Sequence, residues 1–197
     1  MHMAKSGLRA LGIAESYAGR EQSTLAGVVM RKDLRIDGVA FARVTVGGSD
    51  ATDAVVRLFT HLARRDINLL LIGGNIIAWY NIIDPEAVHA ATDLPVIVAT
   101  YEESEGLDED IRRHFPGDDA RLAAYRRLGD RIPVRLRSGY TLFVRSYGIS
   151  SGDAARLCND FTYDGRVPEP IRVARLIARG LVRSPGCAGV AVGDHSR

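Results

Sequence analysis

Glu15 stands just beyond a short apolar run, Leu8-Arg-Ala-Leu-Gly-Ile13, and Asp50 and Asp53 stand just beyond another that ends near Val46. Carboxylates at strand ends can hold Mg²⁺ or Mn²⁺, hard cations that take oxygen ligands, and two such ions can clamp the attacking and leaving oxygens of a phosphodiester. Each has an ordinary reading beside that one. Glu15 can be a surface glutamate, and aspartates opening a helix cap it and favour its dipole, capping being the reading preferred for Asp53. Gly73-Gly74-Asn75 could leave backbone N–H groups free for a phosphate, and Trp79-Tyr80 on the same loop could stack on bases. A tight bend and core packing are the ordinary readings there. Arg172, Arg175 and Arg179 recur at helical spacing and could grip phosphates, or simply form a solvated face.

The composition neither demands nor forbids a polyanion. Net charge is +2, but 24 of the 26 basic residues are arginines, whose planar forks match phosphate oxygens two at a time. A surface of paired, solvated arginines is the ordinary alternative. Cys158 and Cys187 lie far apart and form no metal or redox spacing, and His61, His89, His114 and His195 are isolated. No apolar run reaches the roughly 20 residues that span a bilayer, and Met1–Lys5 is too short and polar for a signal peptide. A reduced cytoplasmic setting without membrane is the expectation.

The elements that must position these residues read clearly. Strands are predicted at 8–13, 24–31 and 36–46, with Val39, Phe41, Val44 and Val46 alternating in the third. Short joins imply an antiparallel meander. A helix from Ser49 or Asp50 to about Arg65 follows, then a buried strand at 68–72. Asp84-Pro85 opens a helix to Thr92, because a cap residue followed by proline suits a first helical turn. A strand at 95–99, helices at 107–114 and 118–129, strands at 132–136 and 141–146, and a helix from Ser150 or Ser151 come next. The last helix spans 168–180, opening on Pro-Glu-Pro and ending at Gly180. The expected class is α/β: one mixed sheet, a three-strand meander followed by alternating helices and strands, with helices on both faces, in one domain over 1–197 with its core at 8–183. This is the order of ribonuclease-H-type folds, whose first and fourth strands lie side by side and open onto one crevice, here just after Ile13 and Ile72.

Four stretches resemble one family: Leu11-Gly-Ile-Ala-Glu-Ser16; Asp37-Gly-Val with Val44-Thr-Val-Gly-Gly-Ser-Asp-Ala-Thr-Asp53; Leu71-Ile-Gly-Gly-Asn-Ile-Ile-Ala-Trp-Tyr-Asn-Ile-Ile-Asp84; and Pro168-Glu-Pro-Ile-Arg-Val-Ala-Arg-Leu-Ile-Ala178. The chain is similar to archaeal domain-of-unknown-function family ninety-nine, endonuclease-V-like proteins of the ribonuclease-H-like superfamily. The resemblance implies that fold. It also implies a loss, because relatives read Gly-Ile-Asp-Asp where this chain has Gly12-Ile13-Ala14-Glu15, and Leu-Asp-Gly where it has Ile72-Gly73-Gly74. Both missing aspartates map to positions where endonuclease V holds its metal.

The expected function is therefore a nucleic-acid-binding protein, for RNA or DNA, whose phosphodiesterase activity is weak or lost. Gly74, Asn75, Trp79, Tyr80, Arg172 and Arg175 are the candidate contacts. A divergent Mg²⁺- or Mn²⁺-dependent endonuclease using Glu15 and Asp50 as metal ligands is the second reading, and the missing carboxylates count against its cofactor. A small-ligand or protein-binding domain is the third.

Overall fold

In a computed structural model the chain is described over residues 7–17, 19–102 and 106–184. Met1–Lys5, Cys187 and His195 lie outside those residues. Strands β1 (Arg9–Ser16), β2 (Gln22–Arg31) and β3 (Ile36–Thr45) form the antiparallel meander. Helix α1 (Ala51–Leu62) leads to β4 (Leu69–Ile72). A two-stranded hairpin, β5 (Ile76–Ile77) and β6 (Asn81–Ile82), precedes α2 (Pro85–Thr92) and β7 (Val96–Thr100). The remainder is α3 (Asp108–His114), α4 (Asp119–Arg127), β8 (Ile132–Arg135), β9 (Thr141–Tyr147), α5 (Ser151–Asp160) and α6 (Glu169–Arg183).

The large sheet runs β3-β2-β1-β4-β7-β9-β8. Its centre is parallel, with β1 beside β4 and β4 beside β7, and both flanks are antiparallel. Side chains alternate across a strand, so β1 sends Leu11 and Ile13 toward α1 and α2, and Ala10 and Ala14 toward α5 and α6. All four residues of β4 are buried, Leu69 and Leu71 on one face, Leu70 and Ile72 on the other. A strand covered on both faces has to be apolar throughout, which is why 69–72 shows no alternation. Helices cover both faces, and no helix among the described residues is long and apolar enough to cross a membrane.

One close approach joins two of the recognisable stretches. A Cβ on Gly12 would fall 2.2 Å from the backbone carbon of Pro170 and 2.3 Å from its Cβ. Only a residue without a side chain lets the Pro-Glu-Pro opening of α6 settle on the middle of β1. Helix α6 does not end at Gly180 as expected but continues to Arg183. An interior glycine costs about 1 kcal/mol, and Leu181 and Val182, both partly buried beyond it, give the extra turn a face to pack.

Caps follow the sequence in part. Asp84 accepts from the N–H groups of Glu86 and Ala87, and the Ser150 hydroxyl accepts from Asp153 N–H. Asp53 is no cap. It sits exposed in the first turn of α1, placed only to favour the dipole. Asp50 holds the cap position, yet its side chain bonds no helix N–H.

Candidate functional site

The crevice forms where β1 and β4 end side by side. Gly73 N–H donates to the Ile13 carbonyl at 2.9 Å, continuing the parallel pairing one step past β4. Ala14 is buried and faces α6. The position a Gly73 Cβ would take lies 2.8 Å from Ile171 Cγ2 and 3.6 Å from Arg175 Nη2, so it faces α6 as well. Positions 14 and 73 thus share a side of the sheet, and between them they supply a methyl group and a hydrogen.

Glu15 is on the other side. The β1–β2 register runs unbroken to Ser16, with Glu15 opposite Leu25, so no bulge turns Glu15 toward position 14. Its Oε1 accepts from the buried Ser23 hydroxyl at 2.7 Å. Asp50 is engaged elsewhere: it accepts from Thr45 N–H at 3.1 Å, from the Thr45 hydroxyl at 3.0 Å and from Asn81 Nδ2 at 2.7 Å. Burial would raise the Asp50 carboxyl, but the bonds from Asn81 and Thr45 outweigh it and hold the pKa below the ordinary value. Among the described residues no group of three His, Cys, Asp or Glu side chains is placed to hold a metal ion. That donor set does not fit a cation wanting several convergent oxygens.

Asn81 caps α1 in place of Asp50. Its Oδ1 accepts from Ala51 N–H at 3.0 Å, while Nδ2 donates to the Thr45 carbonyl and to Asp50. Asn75, a candidate ligand contact by sequence, is a buried clamp as well. Its Nδ2 donates to the Ile83 carbonyl and its Oδ1 accepts from Arg145. Together the two amides fix the base of the β5–β6 hairpin.

The hairpin tip presents the aromatics differently from the core packing expected. Trp79 is 46% exposed. Ala78, Trp79 and Tyr80 have φ of 41°, 60° and 59°, three successive non-glycine residues in the left-handed region, an arrangement that persists only when surrounding contacts enforce it. Arg121 enforces it. Its guanidinium donates to the carbonyls of Tyr80, Gly48 and Gly47 at 2.5–2.9 Å, pairs with Asp118 and lies 4.0 Å above the Phe115 ring. Trp79 packs edge-on to His114 at 4.8 Å and to Tyr80 at 5.4 Å, leaving part of the indole open.

The three arginines of α6 separate in role. Arg172 spends its fork on the buried Glu169, both Oε atoms accepting. Arg179 is exposed. Arg175 is half-buried and lies over Tyr101, 5.1 Å from the ring centre, with its Nη2 beside Gly73. Burial pushes the Tyr101 hydroxyl up to about 12, the nearby Arg175 charge opposing it.

Beyond Gly74 opens a cavity of about 770 Å³ at the ends of β4 and β7, lined by Asn75, Asp108, Asp130, Arg131, Phe143 and Arg145 among others. Arg145 is held by Asn75 and the Gly129 carbonyl. Burial, with Arg131 nearby, lowers its pKa. Arg131 donates to the Thr100 hydroxyl and the Glu102 carbonyl and faces Phe143. Sequence reasoning missed Arg121, Arg131 and Arg145. In a chain with 24 arginines, nothing local marks the few that converge.

Cys158 is buried and its thiol is pushed up to about 12 by burial, so it is an inert core residue.

The chain matches a UPF0215 protein of Pyrobaculum calidifontis at 40% identity over 176 residues, 87% of this chain and 95% of that one. An Archaeoglobus fulgidus protein of unknown function superposes with a TM-score of 0.78 at 22% identity, covering 89% of this chain and 98% of the other. Endonuclease V of Ciona intestinalis, solved with a 24mer DNA containing an inosine followed by a ribo-adenosine, superposes with a TM-score of 0.62 at 15% identity, covering 91% and 87%. The fold is thus endonuclease-V-like. Residues 6–182 match the family described as Endonuclease dU, and with nine-tenths of its length inside that match the chain belongs to this family.

Proposed function

We propose that this protein binds nucleic acid along the crevice at the ends of β1, β4 and β7 and cleaves it weakly or not at all. The observation that carries the reading is the pairing of arginines with carboxylate-free strand ends at positions 14 and 73. Ala14 and Gly73 offer no side-chain oxygen, while Arg175 lies beside Gly73 and Arg131 and Arg145, with Asp108 and Asp130, line the cavity that Gly74 borders. Guanidinium groups at these strand ends attract a phosphate backbone, and positions 14 and 73 supply no side-chain donor for metal-assisted hydrolysis. The exposed face of Trp79 provides a stacking surface at the hairpin tip. The DNA held by the Ciona relative contains inosine, and the family's description names deoxyuridine. Strands carrying a deaminated base are therefore the ligands to try first.

The test is a fluorescence titration with labelled single- and double-stranded DNA and RNA, with and without deoxyuridine or deoxyinosine, at low and raised salt. We expect saturable binding whose log–log salt slope is roughly −2 to −3, the value for about three phosphate contacts. Weakening by Trp79→Ala worth about 1–3 kcal/mol would mark a stacked base. No binding to any strand sinks the reading. Chelator-sensitive cleavage that Glu15→Gln or Asp50→Asn abolishes would replace it with the divergent-endonuclease reading.

A further inference from the structure

Most of the arginines that reach inward in this protein have a carboxylate to answer them. Arg9 and Arg64 pair with Asp37 and Asp66, and Arg121 with Asp118. Arg175 is half-buried and has no carboxylate partner among the described residues, lying instead against Tyr101. A cation partly withdrawn from water and left without an anion is costly, and the cost falls when an anion arrives. Gly73 has no side chain to answer Arg175, and Nη2 stands 3.6 Å from where a Gly73 Cβ would be. The N–H groups of Gly73 and Gly74 are spent on the carbonyls of Ile13 and Ile72, so the backbone cannot be the anion's donor. The guanidinium can.

We infer that Arg175 is the seat of a phosphate group, held at the ends of β1 and β4 by a guanidinium and requiring no divalent cation. The inference deepens the nucleic-acid reading and rests on it for the identity of the occupant, a backbone phosphodiester. The shared chemistry also admits free phosphate. The planar fork suits two phosphate oxygens at once, and stacking over Tyr101 holds it in place before the ligand arrives. Arg131 and Arg145, with Asp108 and Asp130, line the cavity that Gly74 borders.

The experiment compares the full chain with Arg175→Met, which keeps an apolar stem over Tyr101, after thermal melts establish that both are folded. Binding of a labelled oligonucleotide is measured across a salt series with EDTA and with Mg²⁺. The expected result is unchanged affinity of the parent protein in EDTA, a weakening of roughly ten-fold or more in the variant, and a salt slope smaller by about one. Equal affinity and slope for the two proteins overturns the assignment while leaving nucleic-acid binding intact, as does parent binding that needs Mg²⁺. If the parent protein binds no strand, the nucleic-acid reading fails alone, and inorganic phosphate decides for Arg175. Stabilisation of the parent and not of the variant supports the seat, and stabilisation of neither overturns it. Should Arg175→Met not fold, Gly73→Asp with Ile171→Ala puts a carboxylate beside the guanidinium, and the same loss of binding is expected.

Discussion

At position 73 an added Cβ would lie 2.8 Å from Ile171 Cγ2 and 3.6 Å from Arg175 Nη2, so an aspartate cannot simply be placed there. Its methylene would press on a core isoleucine, and its carboxylate would pair with the guanidinium before it met a cation. Aspartate at position 14 would enter a site now 4% exposed, at a cost of several kcal/mol for an uncompensated charge, about 3 kcal/mol after partial relaxation. We therefore expect Ala14→Asp with Gly73→Asp to gain no measurable Mn²⁺ affinity by calorimetry. The same pair combined with Ile171→Ala and Arg175→Met should gain it. Tight binding by the double variant alone would contradict this account. Asn81 offers a second test. Truncation to alanine strips partners from Ala51 N–H, the Thr45 carbonyl and Asp50, and should cost about 1–3 kcal/mol in urea unfolding. Asp84 was legible as a cap because its partners are two and three residues away. Asn81 was not, because its partner N–H lies 30 positions back along the chain.

The elements themselves were largely readable, for reasons that differ. The alternation in β3 and the unbroken apolar run of β4 are direct records of burial on one face and on two. The β5–β6 hairpin left no such record, since strands of two residues are too short to alternate. Contacts between elements also reach back into the sequence. Gly12 and Pro170 are 158 positions apart, yet each is explained by the other. Gly12→Ala must lift the start of α6 from β1, because the clash is with backbone and no rotamer relieves it. A loss of about 3 kcal/mol, the upper part of the overpacking range, is expected in urea unfolding, and Pro170→Ala should not rescue it. A neutral Gly12→Ala would mean that α6 packs elsewhere.

Across the whole molecule, charge ties distant segments as much as apolar burial does. Arg9 of β1, Asp37 of β3, and Arg64 and Asp66 beyond α1 form one ion-pair network. Hydrogen bonding from Arg64 holds Asp66 down to about 2, and bonds from Arg9 and then Arg64 lower Asp37. Carboxyls depressed in the folded state contribute stability above the unfolded value, near pH 4, and lose it as pH falls through the folded value. Thermal melts of the parent protein and Asp66→Asn should therefore differ by a constant amount from pH 7 to 5 and converge between pH 4 and 2. The gap is expected to be small because Asp66 is nearly half exposed. A gap that persists at pH 2 would exclude the network as its source. Residue order alone determined the α/β class, the meander and the absence of side-chain oxygens at positions 14 and 73, because burial periodicity and residue identity are local properties. Only the tertiary structure decided that Arg175 lies beside Gly73 and Arg131 and Arg145 beyond Gly74, that Glu15 lies on the other side of the sheet from position 14, that Asp50 is engaged by Thr45 and Asn81, and that Trp79 stands open. Each of those depends on a partner brought close by the fold from far along the chain, and a distance in space leaves no mark in the order of residues.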